Sequence, residues 1–227
     1  MIIKDTIAEE FNAFSENYTN DMVCCVPNYL KLLNSFVENL PKTFQPTQIL
    51  DLGCGNGNVT NILLSKFPDA EYTLVDASEE MLTLCKKRFS KHNINYANSY
   101  FKDFDFKKDN FDMIVAGFSL HHCKAEELQI LYKKIFYSLK SGGVFSCSDL
   151  MIDKTQEVHN ALLEDWKTFV YKSFPDGEKW KWLMEHYNEF DNPDSLTNHL
   201  AWLNNAEFEK YSINIYDTYW THFRAYK

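Results

Sequence analysis

A strand that runs into a glycine-rich turn and then into a helix is the feature that most constrains the fold of this chain. Residues 48–52 form a short apolar strand pattern, residues 53–57 read Gly-Cys-Gly-Asn-Gly, and a helical pattern follows over 58–67. Glycines at alternate positions let the backbone bend sharply and approach a ligand closely, because no side chain intervenes. The segment predicts one unit of an α/β fold with a ligand-binding turn.

The alternation of strands and helices continues to residue 150. Strands that alternate with helices need crossover connections, which place the strands in a parallel sheet with helices on both faces. Ser78 is expected to be the N-cap of one of the helices. The predicted strands are 48–52, 71–75, 94–100, 111–116 and 144–148, and the predicted helices are 58–67, 79–90 and 125–139.

The pattern changes beyond residue 150. Residues 155–190 are aromatic and helical, a further helix follows Pro193, and the strand-like segments 211–216 and 219–226 predict an antiparallel hairpin. The expected fold is α/β: a doubly wound, mostly parallel seven-stranded sheet with a C-terminal antiparallel hairpin and a helical cap.

Helical spacing of apolar residues begins near the N-terminus, where Phe11, Phe14 and Tyr18 recur three to four residues apart. We therefore expect residues 1–44 to be an N-terminal helical cap segment. Residues 45–227 are then a single domain, in which the aromatic helical segment forms a lid.

Composition disfavours several classes of protein. The net charge is −9, and a protein that binds nucleic acid through its phosphates needs a basic stripe, which is not evident. No run of about 18 apolar residues predicts a membrane span, and the first residues do not resemble a secretory signal. The six cysteines form no Cys-x-x-Cys pair, which is typical of free thiols in a reducing cytoplasm. We expect no metal, with a thiol site for metal or arsenic as the less favoured alternative.

Dinucleotide binding is the nearest rival interpretation of the glycine turn. Its fingerprint is Gly-x-Gly-x-x-Gly, with the pyrophosphate at a helix N-terminus. Counting from Gly53 gives Gly55 and then Asn58. Counting from Gly55 gives Gly57 and then Thr60. The sequence therefore does not match the dinucleotide-binding fingerprint, whether Gly53 or Gly55 is taken as its first glycine.

Acidic residues follow the next two strands. Asp76 ends the second strand, where a carboxylate can accept hydrogen bonds from both ribose hydroxyls, and Asp103 follows the third. In an open α/β sheet, ligands bind outside the carboxyl ends of the strands. For Asp103 the alternative of a solvated loop residue stays open.

The motif Asp51-Leu52-Gly53-Cys54-Gly55-Asn56-Gly57, the two acids and the C-terminal hairpin resemble the class I S-adenosylmethionine-dependent methyltransferase superfamily. The resemblance covers roughly residues 45–227. It implies S-adenosyl-L-methionine as cofactor, S-adenosyl-L-homocysteine as product and a small-molecule acceptor. One departure is Glu207, where the family often has glycine.

The resemblance also implies roles for individual residues. Gly53, Gly55 and Gly57 line the methionine moiety, Asp51 helps to hold its ammonium group, and Asp76 binds the ribose. Other residues flank the adenine, read its edge or face the cofactor at the fourth strand: Ala77, Met81, Asp103, Phe104, Gly117 and Phe118.

A closer likeness is to carboxy-S-adenosylmethionine synthases and related small-molecule methyltransferases. It rests on Val26-Pro27-Asn28-Tyr29 and on Asp194-Ser195-Leu196 at the start of a late helix. By this likeness Tyr29 lies near the cofactor, and the arginine that binds the extra carboxylate corresponds to Trp202. An indole cannot pair with a carboxylate as a guanidinium does. Ordinary S-adenosylmethionine is therefore the expected ligand.

The candidate catalytic residues follow the fourth strand. His122, or else His121, is the candidate base or substrate ligand, with Tyr18 or Tyr29 as its partner, as in the phosphoethanolamine methyltransferases that this segment loosely resembles. Asp149, at the end of the fifth strand, is a candidate substrate ligand. The alternatives remain that one histidine caps a helix while the other packs, and that Asp149 only satisfies a loop.

The predicted function is an S-adenosylmethionine-dependent methyltransferase that acts on a small molecule by in-line transfer. Two alternatives stay open: a carboxy-S-adenosylmethionine enzyme and a catalytically silent partner subunit that binds the cofactor. We expect a cytoplasmic protein without nucleic-acid or membrane partners, and a homodimer is left open. The aromatic lid either recognises the acceptor or is plain core.

Overall fold

The computed structural model describes Ala8, residues 18–155 and residues 157–227. The predicted helical positions Phe11 and Phe14 lie outside these residues. Tyr18 begins the first described helix, but its side chain lies outside the described part of the chain.

Seven strands form one sheet, in the order β3-β2-β1-β4-β5-β7-β6. Only the pairings that β7 makes, with β5 and β6, are antiparallel, and the other pairings are parallel. This confirms the predicted doubly wound, mostly parallel sheet with its C-terminal hairpin. The strands are β1 (Gln48–Leu52), β2 (Glu71–Asp76), β3 (Ile94–Asn98), β4 (Phe111–Gly117), β5 (Leu139–Leu150), β6 (Lys210–Tyr216) and β7 (Trp220–Tyr226).

Helices cover the sheet and one end of the molecule. Over residues 18–227, apart from residue 156, two helices precede β1, three alternate with the parallel strands, and three lie between β5 and β6. They are α1 (Tyr18–Cys25), α2 (Tyr29–Asn34), α3 (Asn58–Lys66), α4 (Glu79–Arg88), α5 (Ala125–Ser138), α6 (Val158–Tyr171), α7 (Glu178–Phe190) and α8 (Leu196–Asn205). Within the described residues, none of these helices has the length and apolar character needed to cross a bilayer.

The core lies on both faces of the sheet, as strand geometry requires. Successive side chains of a strand point to opposite faces. Along β4, Met113 and Val115 belong to one buried cluster, whereas Ile114 and Ala116 belong to the other. Burial on both faces explains why the central strands are continuously apolar.

Local details of the helix ends and turns follow from single residues. Ser78 caps α4, because its side chain accepts a hydrogen bond from the Met81 amide at 3.1 Å. Glu207, which stands where glycine was expected, has a φ of 75°, so the backbone keeps the left-handed conformation that favours glycine.

β5 begins earlier than predicted. Residues 141–143 were expected to end a helix before a strand over 144–148, but the strand runs Leu139–Leu150. Phe111 pairs with Leu139, and the register then shifts before Met113 pairs with Val144. Gly142, with a φ of 77°, lies within this irregular stretch, where glycine is favoured.

Candidate functional site

The glycine turn lies at the carboxyl end of β1, next to the place where strand order reverses between β1 and β4. Gly53 and Gly55 have φ values of 68° and 53°, which glycine adopts without strain. The Gly55 amide donates a 2.8 Å hydrogen bond to the Asp76 carboxylate. The turn is thus fixed to the end of the neighbouring strand β2, and it opens at the switch point where ligands of such sheets bind.

A cavity of about 360 Å³ lies over this turn, a size typical of small-molecule sites. Seven predicted residues line it: Gly53, Gly55, Asp76, Ala77, Met81, Phe118 and His122. Sequence reasoning did not predict that the segment directly after β3 and one face of α5 line the cavity. The apolar spacing of a helix does not show which part of the molecule its other face will contact. These further lining residues include Ser99, Tyr100, Phe101, Lys102, Ile130 and Lys134.

Asp76 contacts the cavity with a carboxylate held in place by backbone amides. One oxygen accepts from Gly55 and the other from the Ser78 amide, each at 2.8 Å. Burial raises the pKa of Asp76 despite these amides. Since each carboxylate oxygen can accept two hydrogen bonds, acceptor capacity is left for a ligand hydroxyl.

Asp51, the next-to-last residue of β1, has only 1% of its surface exposed and lies outside the cavity lining. One of its oxygens accepts a hydrogen bond from the Thr60 hydroxyl at 2.5 Å, and the other is buried without a hydrogen-bond partner among the described residues. Burial raises the pKa of Asp51 to about 7, although the Thr60 hydrogen bond opposes the shift. Such an orphaned buried oxygen fits a cationic ligand group.

The remaining predicted cofactor residues lie outside the cavity lining. A Cβ at Gly57 would lie 2.3 Å from Phe89, and one at Gly117 would lie 2.5 Å from Val59, so both glycines serve close packing. Asp103 is exposed, and the Phe104 amide donates to the Tyr100 carbonyl at 3.1 Å. The residues of this turn that line the cavity are therefore 99–102, which precede Asp103 and Phe104.

A second, smaller cavity of about 80 Å³ adjoins the first and shares Phe118 and His122 with it. Phe118 has a φ of 56°, which is uncommon for a residue with a side chain. The walls of the second cavity are mainly aromatic and apolar, with a group of imidazoles and carboxylates on one side. They include Met22, Val26, Leu150, Trp166, Trp182, Leu183 and Trp220.

Asp149 organises the turn that carries both candidate histidines, a single 3₁₀ turn over Leu120–His122. One Asp149 oxygen accepts from the amides of Leu120 and His121, at 3.0 and 3.2 Å. The other oxygen contacts Nδ1 of His121. Asp149 lines neither cavity, and its contacts match the alternative that it satisfies the loop.

Asp191, just after α7, meets three imidazoles. Its Oδ1 lies 2.9 Å from Nδ1 of His122, 3.5 Å from Nε2 of His186 and 3.6 Å from Nε2 of His121. Burial favours neutral His121, but the carboxylates of Asp149 and Asp191 outweigh it and raise its pKa to about 9. Burial and then the charge of His121 lower the pKa of His122. Sequence reasoning missed His186 and Asp191, which lie 65 and 70 residues after His121 in the chain.

Two other predicted site residues lie outside both cavities. Tyr29 is buried on α2, where its hydroxyl accepts from the Asn58 amide at 2.8 Å and its ring lies 5.0 Å from that of Phe118. It thus supports a residue of the cavity wall. Trp202 packs edge-on against His199 with 5.4 Å between the ring centroids, and it lines neither cavity.

The residues present fit an adenosyl ligand with an amino-acid tail. The orphaned oxygen of Asp51 suits an ammonium group, the spare acceptor capacity of Asp76 suits ribose hydroxyls, and Ala77 and Met81 give the cavity an apolar wall for a purine ring. Comparison with known proteins agrees with this ligand class.

Residues 49–143 match the methyltransferase domain family. A malonyl-[acyl-carrier protein] O-methyltransferase from Acetivibrio thermocellus is 26% identical over 181 residues, which are 79% of this chain and 62% of that relative. A carboxy-S-adenosyl-L-methionine synthase from Shewanella loihica is 25% identical over 198 residues, 83% of this chain and 79% of that relative. The chain thus spans less than two thirds of the length of the first of these relatives.

A solved structure shows the same fold. It is an S-adenosylmethionine-dependent methyltransferase from Thermotoga maritima, named as a possible histamine N-methyltransferase. The TM-score is 0.67 at 14% identity, over 97% of this chain and 99% of that chain. The chain therefore shares the Rossmann-like fold of that structure, and the sequence match to methyltransferase domains lies in residues 49–143.

Proposed function

We propose that the protein transfers the methyl group of S-adenosyl-L-methionine to a small-molecule acceptor, a proposal supported by the match of residues 49–143 to the methyltransferase domain family. The observation that carries this proposal is that two cavities meet at Phe118 and His122. One holds the glycine turn and its carboxylate, and the other is apolar with imidazoles on one wall. Two ligands in these cavities would meet at the junction, as transfer between two molecules requires.

The residues proposed to hold the cofactor are those at the ends of β1 and β2. Gly53 and Gly55 allow close backbone approach, Asp51 neutralises the ammonium group, and Asp76 accepts from the ribose. Met81, with 1% of its surface exposed, gives the adenine an apolar contact. When bound, the cofactor supplies a methyl group activated by the positive sulfonium.

The chain's own contribution is to position the acceptor and to exclude water. Phe118, Trp182 and Trp220 form apolar walls around the second cavity. His122 lines both cavities, whereas His121 is bound to Asp149 and lines only the second one. We therefore propose that His122 contacts the reacting end of the acceptor, ahead of His121, and that Tyr29 supports this wall from behind.

We propose ordinary S-adenosylmethionine as the ligand rather than its carboxylated derivative. The extra carboxylate of the derivative is best bound by the guanidinium group of an arginine. The chain has two arginines, Arg88 and Arg224. Arg88 donates to Asn58 and to the Asn56 carbonyl, and Arg224 donates to the carbonyls of Ser35 and Glu38. Neither lines a cavity.

Calorimetry with S-adenosylhomocysteine tests the cofactor site. We expect one equivalent to bind, and native mass spectrometry should find S-adenosylmethionine or its product rather than a ligand heavier by one carboxyl group. Absence of heat with either form of the cofactor would contradict the proposal, and a carboxylated ligand would favour the alternative enzyme.

A labelled-methyl screen over small metabolites tests the transfer itself. Once an acceptor is found, His122→Gln should lower turnover roughly 10²-fold, the scale of a misplaced reactant. The control is His92→Gln, an exposed histidine, which should keep full turnover. Unchanged turnover in His122→Gln would remove it from the site. Tight cofactor binding without transfer to any acceptor would favour the silent partner subunit.

A further inference from the structure

The polar wall of the second cavity gathers four potential metal ligands: His121, His122, His186 and Asp191. Ring nitrogens of His121 and His122 and an oxygen of Asp191 all lie within 4.8 Å of one another. His186 adds a nitrogen 3.5 Å from the same Asp191 oxygen. The chain brings these groups from two elements, the 3₁₀ turn after β4 and the C-terminal end of α7.

Hydrogen bonding alone accounts poorly for this arrangement. Three imidazole nitrogens surround a single oxygen of Asp191, at 2.9, 3.5 and 3.6 Å, whereas a carboxylate oxygen accepts about two hydrogen bonds. Four ligand atoms bound tetrahedrally to zinc at 2.0–2.1 Å lie about 3.3 Å apart. The distances from the Asp191 oxygen to Nδ1 of His122 and to Nε2 of His121, 2.9 and 3.6 Å, lie on either side of this value.

The surroundings of His121 match those of a metal ligand. A histidine that binds a metal almost always places its other ring nitrogen against a carboxylate or carbonyl, which fixes the ring orientation. Nδ1 of His121 contacts Asp149, so its Nε2 is directed toward Asp191. The amides of Leu120 and His121 also bind Asp149, which holds the whole turn.

The second ligand-bearing segment is attached to the first through its backbone. The Asn192 amide donates to the His121 carbonyl at 2.5 Å, and the Asn192 side chain donates to the His122 carbonyl at 3.4 Å. Asp191 is thereby held against the histidine turn. Such pre-organisation from outside the ligand set is what a metal centre requires.

We propose that His121, His122 and Asp191 bind a divalent transition-metal ion at the wall of the second cavity, with His186 beside the Asp191 ligand. Imidazole and carboxylate donors suit zinc and its first-row neighbours better than calcium or magnesium. The role of the ion rests on the proposed function: with a coordination position open to the cavity, it would bind and polarise the acceptor's heteroatom, while His122 contacts the acceptor through the metal.

The experiment uses the purified full chain after treatment with a chelator, with Co²⁺ and Zn²⁺ as probes and without cofactor or acceptor. We expect one equivalent of Zn²⁺ by calorimetry. Bound Co²⁺ should give the intense visible absorption of a site with few ligands, and its X-ray absorption should show imidazole scattering. These readouts need no methyl transfer.

Matched variants locate the site. Asp191→Asn and His186→Gln should each weaken Zn²⁺ binding at least 10-fold, the lower end of losses from altered metal surroundings. His92→Gln makes the same change at an exposed histidine and should leave the affinity unchanged. Binding of S-adenosylhomocysteine checks that each variant is folded, since none of the three residues lines the first cavity.

The inference is overturned if the natural chain does not bind one equivalent of Zn²⁺, or if the X-ray absorption of bound Co²⁺ shows no imidazole scattering. Both measurements use the natural chain, so they decide the question even if a variant fails to fold. Equal loss of affinity in His92→Gln would also overturn the inference, because the ion would then bind elsewhere. A chain that binds S-adenosylhomocysteine but no metal contradicts only the metal site, whereas a chain that binds metal but no cofactor contradicts only the proposed function.

Discussion

Two carboxylates at adjacent strand ends, the buried Asp51 and the partly exposed Asp76, are proposed to hold opposite ends of one ligand, and their surroundings differ. Asp76 is fixed by two backbone amides, so its position changes little when a ligand arrives. Asp51 has one satisfied oxygen and one orphaned oxygen. At the scale of the residue, Asp76 therefore contributes hydrogen bonds, and Asp51 contributes a charge whose burial is costly until a cation compensates it.

Asp76→Ala should weaken S-adenosylhomocysteine binding by roughly 1.5–3 kcal/mol, the range for hydrogen bonds to a charged group. Calorimetry on the purified chain gives this number directly. Asp69→Ala is the matched control, because Asp69 is an exposed acid outside the cavity lining. Equal affinity in the two variants would contradict the ribose assignment.

Asp51 should make the ligand-free chain less stable as the pH rises. Its pKa is about 7 in the folded chain against 3.8 ordinarily, so the folded state holds the proton more tightly than the unfolded state. The stabilisation is complete below pH 4 and is lost as the pH rises through 7, at up to about 1.4 kcal/mol per pH unit.

Urea unfolding of the ligand-free chain at pH 5 and pH 8 measures this effect. Asp51→Asn, which cannot titrate but can still accept from Thr60, should lose less stability over that interval than the natural chain. Parallel pH profiles for the two proteins would show that the carboxyl group titrates normally.

At the scale of the element, the start of α3 depends on Gly57. This residue is the N-cap, with a φ of 85°, and a Cβ there would overlap the Phe89 ring that packs from the end of α4. Gly57→Ala should therefore combine left-handed strain with overpacking, and lower the free energy of unfolding by roughly 2–4 kcal/mol.

A second variant, Gly142→Ala, separates the cost of left-handed backbone strain from the cost of overpacking. Gly142 has a φ of 77°, but a Cβ there would meet no atom within 4 Å, so only the backbone strain of roughly 1–2 kcal/mol applies. Denaturant unfolding of both variants gives the difference. Equal losses would mean that Phe89 moves aside without cost.

For the whole molecule, the helical lid is attached to the N-terminal helices beside the second cavity. The indole N–H of Trp166 on α6 donates to the Cys25 carbonyl at 2.5 Å, and Lys179 on α7 pairs with Asp21 on α1 at 2.8 Å. Trp166 is 4% exposed and also lines the second cavity. The aromatic lid is thus both core and cavity wall.

Cofactor binding should stabilise the folded chain as a unit. S-adenosylhomocysteine at 100 times its Kd should add about 2.7 kcal/mol to the free energy of unfolding, as linkage requires when a ligand binds only the folded state. Thermal unfolding with and without ligand measures this gain. The gain should shrink in Asp76→Ala at the same ligand concentration, and an equal gain would indicate binding elsewhere.

Local patterns in the sequence were enough to predict the sheet and the glycine turn. The predicted strand 48–52 coincides with β1, and helix α4 begins after its predicted cap, because period, capping and glycine are local signals. The early start of β5 escaped prediction, since it depends on pairing between Phe111 and Leu139, which are distant in the chain.

Which polar side chains line a cavity depends on contacts between elements that are distant in the chain. Asp149 was predicted as a substrate ligand, yet it binds the turn of His121. Asp191 and His186 carried no local signal, yet they meet His122 in the second cavity. The direction of a side chain depends on packing between elements, which local periodicity does not encode.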